Sequence, residues 1–129
     1  MSIAVSWVDA KKTIIVSSFN GEWTLEDSHN MIDEMYKLMT SVSHNVHVIL
    51  DFTNSLSSPA KMLSSGSHIE KRSSPNTGLS VIVKANGFIK AISQLIMKLF
   101  VRDGKLHFVD TVDEAYQIIT QYEQSSVKG

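Results

Sequence analysis

The most informative segment of the chain is His47-Val48-Ile49-Leu50-Asp51-Phe52, which precedes a loop rich in Ser and Asn and then Pro59. The consecutive apolar residues around Ile49 predict a strand that is buried on both of its faces. Asp51 is expected to mark the carboxyl end of this strand, and Pro59 suits the first turn of a helix. Open α/β sheets bind ligands and partners beyond the carboxyl ends of their strands, so we expect any functional site at this loop.

Strands and helices alternate on both sides of this segment. Residues 3–8 and 13–19 are expected to form two strands that pair across the polar turn 9–12. Thr24 is the expected N-cap of a first helix, whose apolar side chains recur at helical spacing: Met31, Ile32, Met35, Leu38, Met39 and Val42. Further helices are predicted over 60–72, over 88–100 and after Thr111, with strands over 46–52, 79–83 and 106–109.

This order, β-β-α-β-α-β-α-β-α, predicts an α/β fold with a mixed, mostly parallel sheet flanked by helices. One strand of the initial pair must then run against the others. We find no repeat and no linker, so residues 1–129 are expected to form a single domain. Its core is expected to extend from about residue 3 to 122, with a frayed tail over 123–129.

Composition and charge argue against several classes of protein. The net charge is −1 and the pI is about 6.5, so the positive potential typical of nucleic-acid binders is missing. The chain has no cysteine, which excludes thiol chemistry and fits an intracellular protein. We found no transmembrane segment and no signal peptide, and we expect a cytoplasmic protein.

Residues with catalytic potential do not form a recognisable pattern. The five histidines are scattered and match no metal-binding spacing, and no nucleotide-binding or nucleophile motif is present. Asp51 and Asp110 follow strands, where carboxylates can act as acid and base, but aspartate is also common in turns. We therefore expect a protein that is not an enzyme, with no catalytic residues, no metal site and no cofactor.

Three segments resemble those of a known family, the STAS domains. They are 19–24 (Phe-Asn-Gly-Glu-Trp-Thr), 48–52 (Val-Ile-Leu-Asp-Phe) and 108–115 (Phe-Val-Asp-Thr-Val-Asp-Glu-Ala). The chain is most similar to the sporulation anti-sigma-factor-antagonist-like branch, which shares its fold with the CRAL-TRIO lipid-exchange domains. The resemblance covers residues 3 to 122 and implies a mixed sheet of four or five strands, with a role in binding rather than catalysis.

The resemblance also points to a regulatory position. Phosphorylation-regulated relatives carry their switch serine in an Asp-Ser-Ser-Gly segment at the start of the second helix. The nearest match here is Ser57-Ser58, flanked by Leu56 and Pro59 instead of Asp and Gly. We expect Ser58 to be an N-cap and Ser57 to present the more exposed hydroxyl. Ser57, Ser58 and Asp51 are therefore the candidate regulatory or partner-binding residues.

Two functions from different classes follow from these observations. The first is an interaction module that binds a protein partner through the second predicted helix and its adjacent loops. The second is a carrier of a small apolar ligand or lipid, with a pocket lined by Met31, Met35, Met62, Leu63, Phe88 and Ile92. The helix over 88–100 is apolar on more than one face, which indicates either a homodimer surface or complete coverage by its neighbours.

Overall fold

The strands of the domain form one mixed sheet in which their spatial order equals their order in the sequence. The computed structural model describes residues 2–58, 68, 71–72, 74–84 and 106–128. The strands are β1 (Ile3–Trp7), β2 (Ile14–Gly21), β3 (Val46–Ser55), β4 (Thr77–Val83) and β5 (Leu106–Val109). Among these described strands, β1 and β2 pair antiparallel, and the pairs β2–β3, β3–β4 and β4–β5 are parallel. The predicted α/β class and the single reversed strand are confirmed.

Two helices lie within the described residues, α1 (Leu25–Thr40) and α2 (Val112–Lys128). The helix predicted over 88–100, with its proposed dimer surface, lies outside these residues. Most of the helix predicted over 60–72 lies outside them as well. Neither α1 nor α2 is long and apolar enough to span a membrane.

The central strand β3 separates two parts of the hydrophobic core. Val48 and Leu50 belong to a cluster that packs against α1, whereas Ile49 belongs to a cluster that packs against α2. Successive side chains of a strand point to opposite faces, so β3 contributes to both clusters. Ile49 is fully buried, at 0% exposure, and the prediction of a strand buried on both faces is confirmed.

The buried stripe of α1 matches the prediction from its spacing. Met31, Ile32 and Met39 are buried, and the half-buried Met35 packs against the same cluster. Thr24 begins the helix with a capping box, in which its hydroxyl accepts from the N–H of Asp27. The carboxylate of Asp27 in turn accepts from the N–H of Thr24. Local sequence therefore fixes where α1 begins.

The helix α2 begins as predicted but ends later. The hydroxyl of Thr111 accepts a hydrogen bond from the N–H of Glu114 at 3.1 Å, which caps the helix. Ala115 and Ile119 are buried against the sheet. The helix continues to Lys128, so most of the tail that we expected to fray is helical.

Candidate functional site

The strand β3 extends further than the sequence suggested. We expected it to end near Asp51, but it continues to Ser55 because β2 continues beside it. Asn20 and Gly21 of β2 pair with Asn54 and Ser55 of β3. The parallel neighbour thus supplies pairing partners for two residues beyond Phe52, Asn54 and Ser55, and polar side chains do not end the strand.

Asp51 lies within β3, and its carboxylate accepts hydrogen bonds from a residue close to it in the same strand. Its Oδ1 accepts hydrogen bonds from the backbone N–H of Thr53, at 2.9 Å, and from the Thr53 hydroxyl. Burial, together with the negative charges of Asp113 and Asp51, raises the pKa of Tyr116 in α2 above its usual 10.0. Asp51 lies two residues after Ile49 in β3, so its side chain is on the same face of the sheet, the α2 side.

The loop after β3 is hydrogen-bonded to Trp23, which directly precedes Thr24, the N-cap of α1. The backbone N–H of Trp23 donates to Oγ of Ser57 at 2.9 Å, and that hydroxyl donates to the Trp23 carbonyl at 3.2 Å. The indole Nε1–H of Trp23 donates to Oγ of Ser55 at 2.8 Å, and the Ser55 hydroxyl donates to the carbonyl of Ser57 at 2.7 Å. Three of these hydrogen bonds hold the serine loop, Ser55 to Ser57, against Trp23 at the entry to α1, and the fourth lies within the loop.

The environment of Ser57 differs from the one that we predicted. Ser57 was expected to present a more exposed hydroxyl than Ser58, but both residues fall in the half-buried class, and the Ser57 hydroxyl both accepts from and donates to the backbone of Trp23. Pro59, the expected N1 neighbour of Ser58, lies outside the described residues. Because Asp51 belongs to the α2 side of the sheet and Ser57 is bound to Trp23, the structure does not bring these two candidates together.

Three aromatic rings form the base of the serine loop. Phe19 and Phe52 stack with their centroids 4.2 Å apart, and Phe19 lies 5.1 Å from Trp23. Phe19 and Trp23 are each 1% exposed and Phe52 is 5% exposed. Aromatic contacts of this kind add stability beyond the apolar area that they bury. The loop therefore rests on a packed part of the core.

Leu56 projects from this fixed loop into solvent. It is 79% exposed, whereas the other large exposed apolar side chains of the described residues lie at 37–38%. Its backbone N–H donates to the carbonyl of Gly21 at 2.8 Å. Leu25, the first residue of α1, is 37% exposed at the same end of the sheet. The site thus combines an exposed leucine with a backbone that is held on both sides.

Two of the residues predicted to line an apolar pocket belong to the core on the α1 side of the sheet. Met31 is buried and Met35 is half-buried within the core cluster on the α1 side. The other four predicted lining residues, Met62, Leu63, Phe88 and Ile92, lie outside the described residues. A groove of about 580 Å³ lies between β1 and α1, and it is lined by Met31, one of the predicted residues, together with Asp27 and Glu34.

Two histidines that are far apart in the sequence lie together. The rings of His29 and His68 stack 4.3 Å apart, and Nε2 of His68 lies 2.8 Å from Oδ1 of Asp33. Arg72 forms an ion pair with the same carboxylate oxygen. Within the described ranges, no group of three or more His, Asp or Glu side chains is arranged to hold a metal ion. The cluster ties residues 68 and 72 to α1.

Sequence reasoning overlooked the residues that define this site. Trp23 and Ser55 were not candidates, because their contacts join positions 32 residues apart in the chain. The one sequence signal for Leu56 was a single leucine between serines in an otherwise polar loop. A search of protein-family models and of curated proteins found no match to this chain.

Proposed function

We propose that this chain is a non-enzymatic, STAS-like interaction module that binds a protein partner through Leu56 and the serine loop. The observation that carries the proposal is the 79% exposure of Leu56 on a loop held by hydrogen bonds to Trp23. An apolar side chain gains most from binding when its backbone is already ordered, since little conformational entropy is then lost. Apolar anchors of this kind often dominate protein interfaces.

The family resemblance supports the same location. It implies a mixed sheet of four or five strands, a role in binding and, in phosphorylation-regulated members, a switch serine at the start of the second helix, just after the loop that follows the central strand. Leu56 lies in that loop, and the strands within the described residues form a sheet of five, of which one is reversed. Phosphorylation of Ser57 is not part of the proposal. A phosphate on Oγ of Ser57 would remove the hydrogen bond that this hydroxyl donates to the carbonyl of Trp23.

A matched pair of substitutions tests the proposal. Leu56→Asp places a charge at the centre of the proposed contact, whereas Val8→Asp makes the same kind of change at a side chain that is 38% exposed. Val8 lies in the turn between β1 and β2, at the opposite end of the parallel strands. Tagged wild-type protein and both variants are incubated with an extract of the native host, and captured proteins are quantified by mass spectrometry.

The expected result is a set of proteins captured by the wild type and by Val8→Asp and lost from Leu56→Asp. Circular dichroism must show the same fold for all three proteins. Equal capture by Leu56→Asp and the wild type would contradict the proposal.

The carrier function remains a second proposal, and the groove between β1 and α1 is the described feature that bears on it. Two carboxylates border this groove, which suits an apolar ligand poorly. Native mass spectrometry of freshly purified protein separates the two functions. A bound apolar molecule would favour the carrier, and the mass of the bare chain would favour the interaction module.

A further inference from the structure

The hydrogen bonds of β1 identify which of its backbone groups face away from the sheet. The N–H of Val8 donates to the carbonyl of Ile14 at 2.9 Å, and the N–H of Asn20 donates to the carbonyl of Ser2 at 2.7 Å. In an antiparallel pair, residues that bond to the neighbouring strand alternate with residues whose N–H and C=O point away from it. The backbone groups of Ile3, Val5 and Trp7 therefore point to the outer edge of β1.

A groove borders part of this outer edge. β1 is the first strand of the sheet order, with β2 as its neighbour within the part of the chain that the structure describes. The groove of about 580 Å³ between β1 and α1 is lined on the strand side by residues 2–5. Ile3 and Val5, whose backbone donors and acceptors point to the outer edge, thus both line this groove.

The sequence of β1 lacks the features that usually prevent an edge strand from pairing with another strand. Proteins usually block an edge strand with a charged side chain, a proline or a bulge. β1 reads Ile-Ala-Val-Ser-Trp and pairs with β2 without a shift in register. Its exposed side chains are the small Ala4 and Ser6, which leave room for a neighbouring strand.

The negative charge beside the groove favours a basic partner segment over a second copy of this chain. Asp27 and Glu34 of α1 line it together with Asn30. Pairing of β1 with β1 of a second copy would bring these carboxylates towards the same carboxylates of the other molecule. A strand that carries lysine or arginine would instead meet opposite charge.

We propose that the outer edge of β1 binds an extended, basic segment of a partner protein, which adds to the sheet as a further strand. The segment exchanges main-chain hydrogen bonds with Ile3 and Val5, and its basic side chains lie near Asp27 and Glu34. This edge differs from the Leu56 surface, so the inference goes beyond the proposed function and does not depend on it.

The probe is a synthetic peptide in which lysine alternates with valine, and a peptide with glutamate in place of lysine is its control. Binding is followed by amide NMR of the full chain. The lysine peptide is expected to shift the amide signals of Ile3, Val5 and Trp7 and to slow their hydrogen exchange, with much weaker effects from the glutamate peptide. Shifts confined to other residues, or equal binding of both peptides, would overturn the proposal.

Substitutions test the two parts of the contact separately. Val5→Pro removes an outward N–H without removing a bond to β2, and is expected to weaken binding about tenfold. Glu34→Lys is expected to weaken it about fivefold, whereas Asp110→Lys makes the same charge change after β5, at the other side of the sheet, and is expected to leave it unchanged. Because Glu34 is exposed, its variant retains the test if Val5→Pro fails to fold.

Three further outcomes, from the substitutions, would overturn the proposal. The first is unchanged binding by folded Val5→Pro, and the second is equal loss of binding in Glu34→Lys and Asp110→Lys. The third is a concentration-dependent dimer that Val5→Pro abolishes, because the edge would then belong to a second copy of this chain. Leu56→Asp is expected to bind the peptide as the wild type does, which keeps this test separate from that of the proposed function.

Discussion

The imidazole of His47 accepts a hydrogen bond from the backbone N–H of Leu79, with Nδ1 and N 2.9 Å apart. The register of β3 and β4 shifts here, since Val46 pairs with Thr77 and Val48 pairs with Ser80. β4 thus contains one extra residue at this point. The His47 side chain accepts a hydrogen bond from the N–H of Leu79, a residue that has no pairing partner in β3. Such irregularities require a specific compensating contact.

Gly78 is required beside this ring. A Cβ at that position would collide with Nδ1 and lie 2.7 Å from Cε1 of His47. We expect Gly78→Ala to lower the free energy of unfolding by about 1–3 kcal/mol, as other forms of overpacking do. Urea denaturation measures the change. Because His47→Ala removes the obstructing ring, the double variant should be less destabilised than the sum of the single changes. Additive effects would show that the ring and Gly78 do not interact.

Ser55→Ala tests the attachment of the serine loop. The substitution leaves the indole N–H of the buried Trp23 without its acceptor. An unsatisfied buried donor typically destabilises a protein by about 1–3 kcal/mol. The exposed Ser43 provides the matched control, since Ser43→Ala should change stability by no more than about 0.5 kcal/mol. Equal urea midpoints for the two variants would show that the indole hydrogen bond contributes little.

Ile49→Asp tests the central position of β3. Ile49 is fully buried in the cluster on the α2 side. A carboxylate there would reduce stability by about 4 kcal/mol or more, a large part of the total for most domains. We expect unfolded or insoluble protein, whereas Leu56→Asp, at an exposed site, should retain the wild-type melting temperature. A soluble Ile49→Asp with native circular dichroism would contradict this account of the core.

Asp9 is expected to make stability depend on pH in the acid range. Burial alone would raise the pKa of Asp9, but hydrogen bonds from the hydroxyl and the N–H of Thr13 outweigh it and lower the pKa below 3.8. A carboxyl group whose pKa is lower in the folded state stabilises the protein above its unfolded pKa. That contribution disappears as the pH falls through the folded value.

Asp9→Asn removes this titrating group. Between neutral pH and about pH 3, its melting temperature should therefore fall less than that of the wild type. Thermal unfolding across this range measures the difference, with Asp110→Asn, at an exposed residue after β5, as the control. Parallel curves for Asp9→Asn and the wild type would show that Asp9 does not contribute.

The strands and buried faces were predictable because local periodicity determines them. Alternation in β1, the apolar run of β3 and the helical spacing from Met31 to Met39 each reflect one buried face. The capping residues Thr24 and Thr111 were predictable for the same reason, since each bonds to an N–H three residues later.

The site was less predictable because distant residues create it. β3 extends to Ser55 because it pairs with β2. The Ser57 hydroxyl is hydrogen-bonded to the backbone of Trp23, which lies 34 residues earlier in the chain. The contact between His47 and Leu79 likewise depends on a register shift between two strands. The local preference of a residue for helix or strand contains no information about contacts with residues that are distant in the sequence.

The order of the sheet has a consequence for synthesis of the protein. Each strand pairs with the strand that precedes it in the chain, so no strand has to enter between two that are already paired. The sheet can therefore grow during translation, beginning with β1 and β2. Until β5 is made, however, the newest edge belongs to β3 or β4, whose central residues are almost all apolar. Incorrect pairing and aggregation should compete with folding most strongly during that interval.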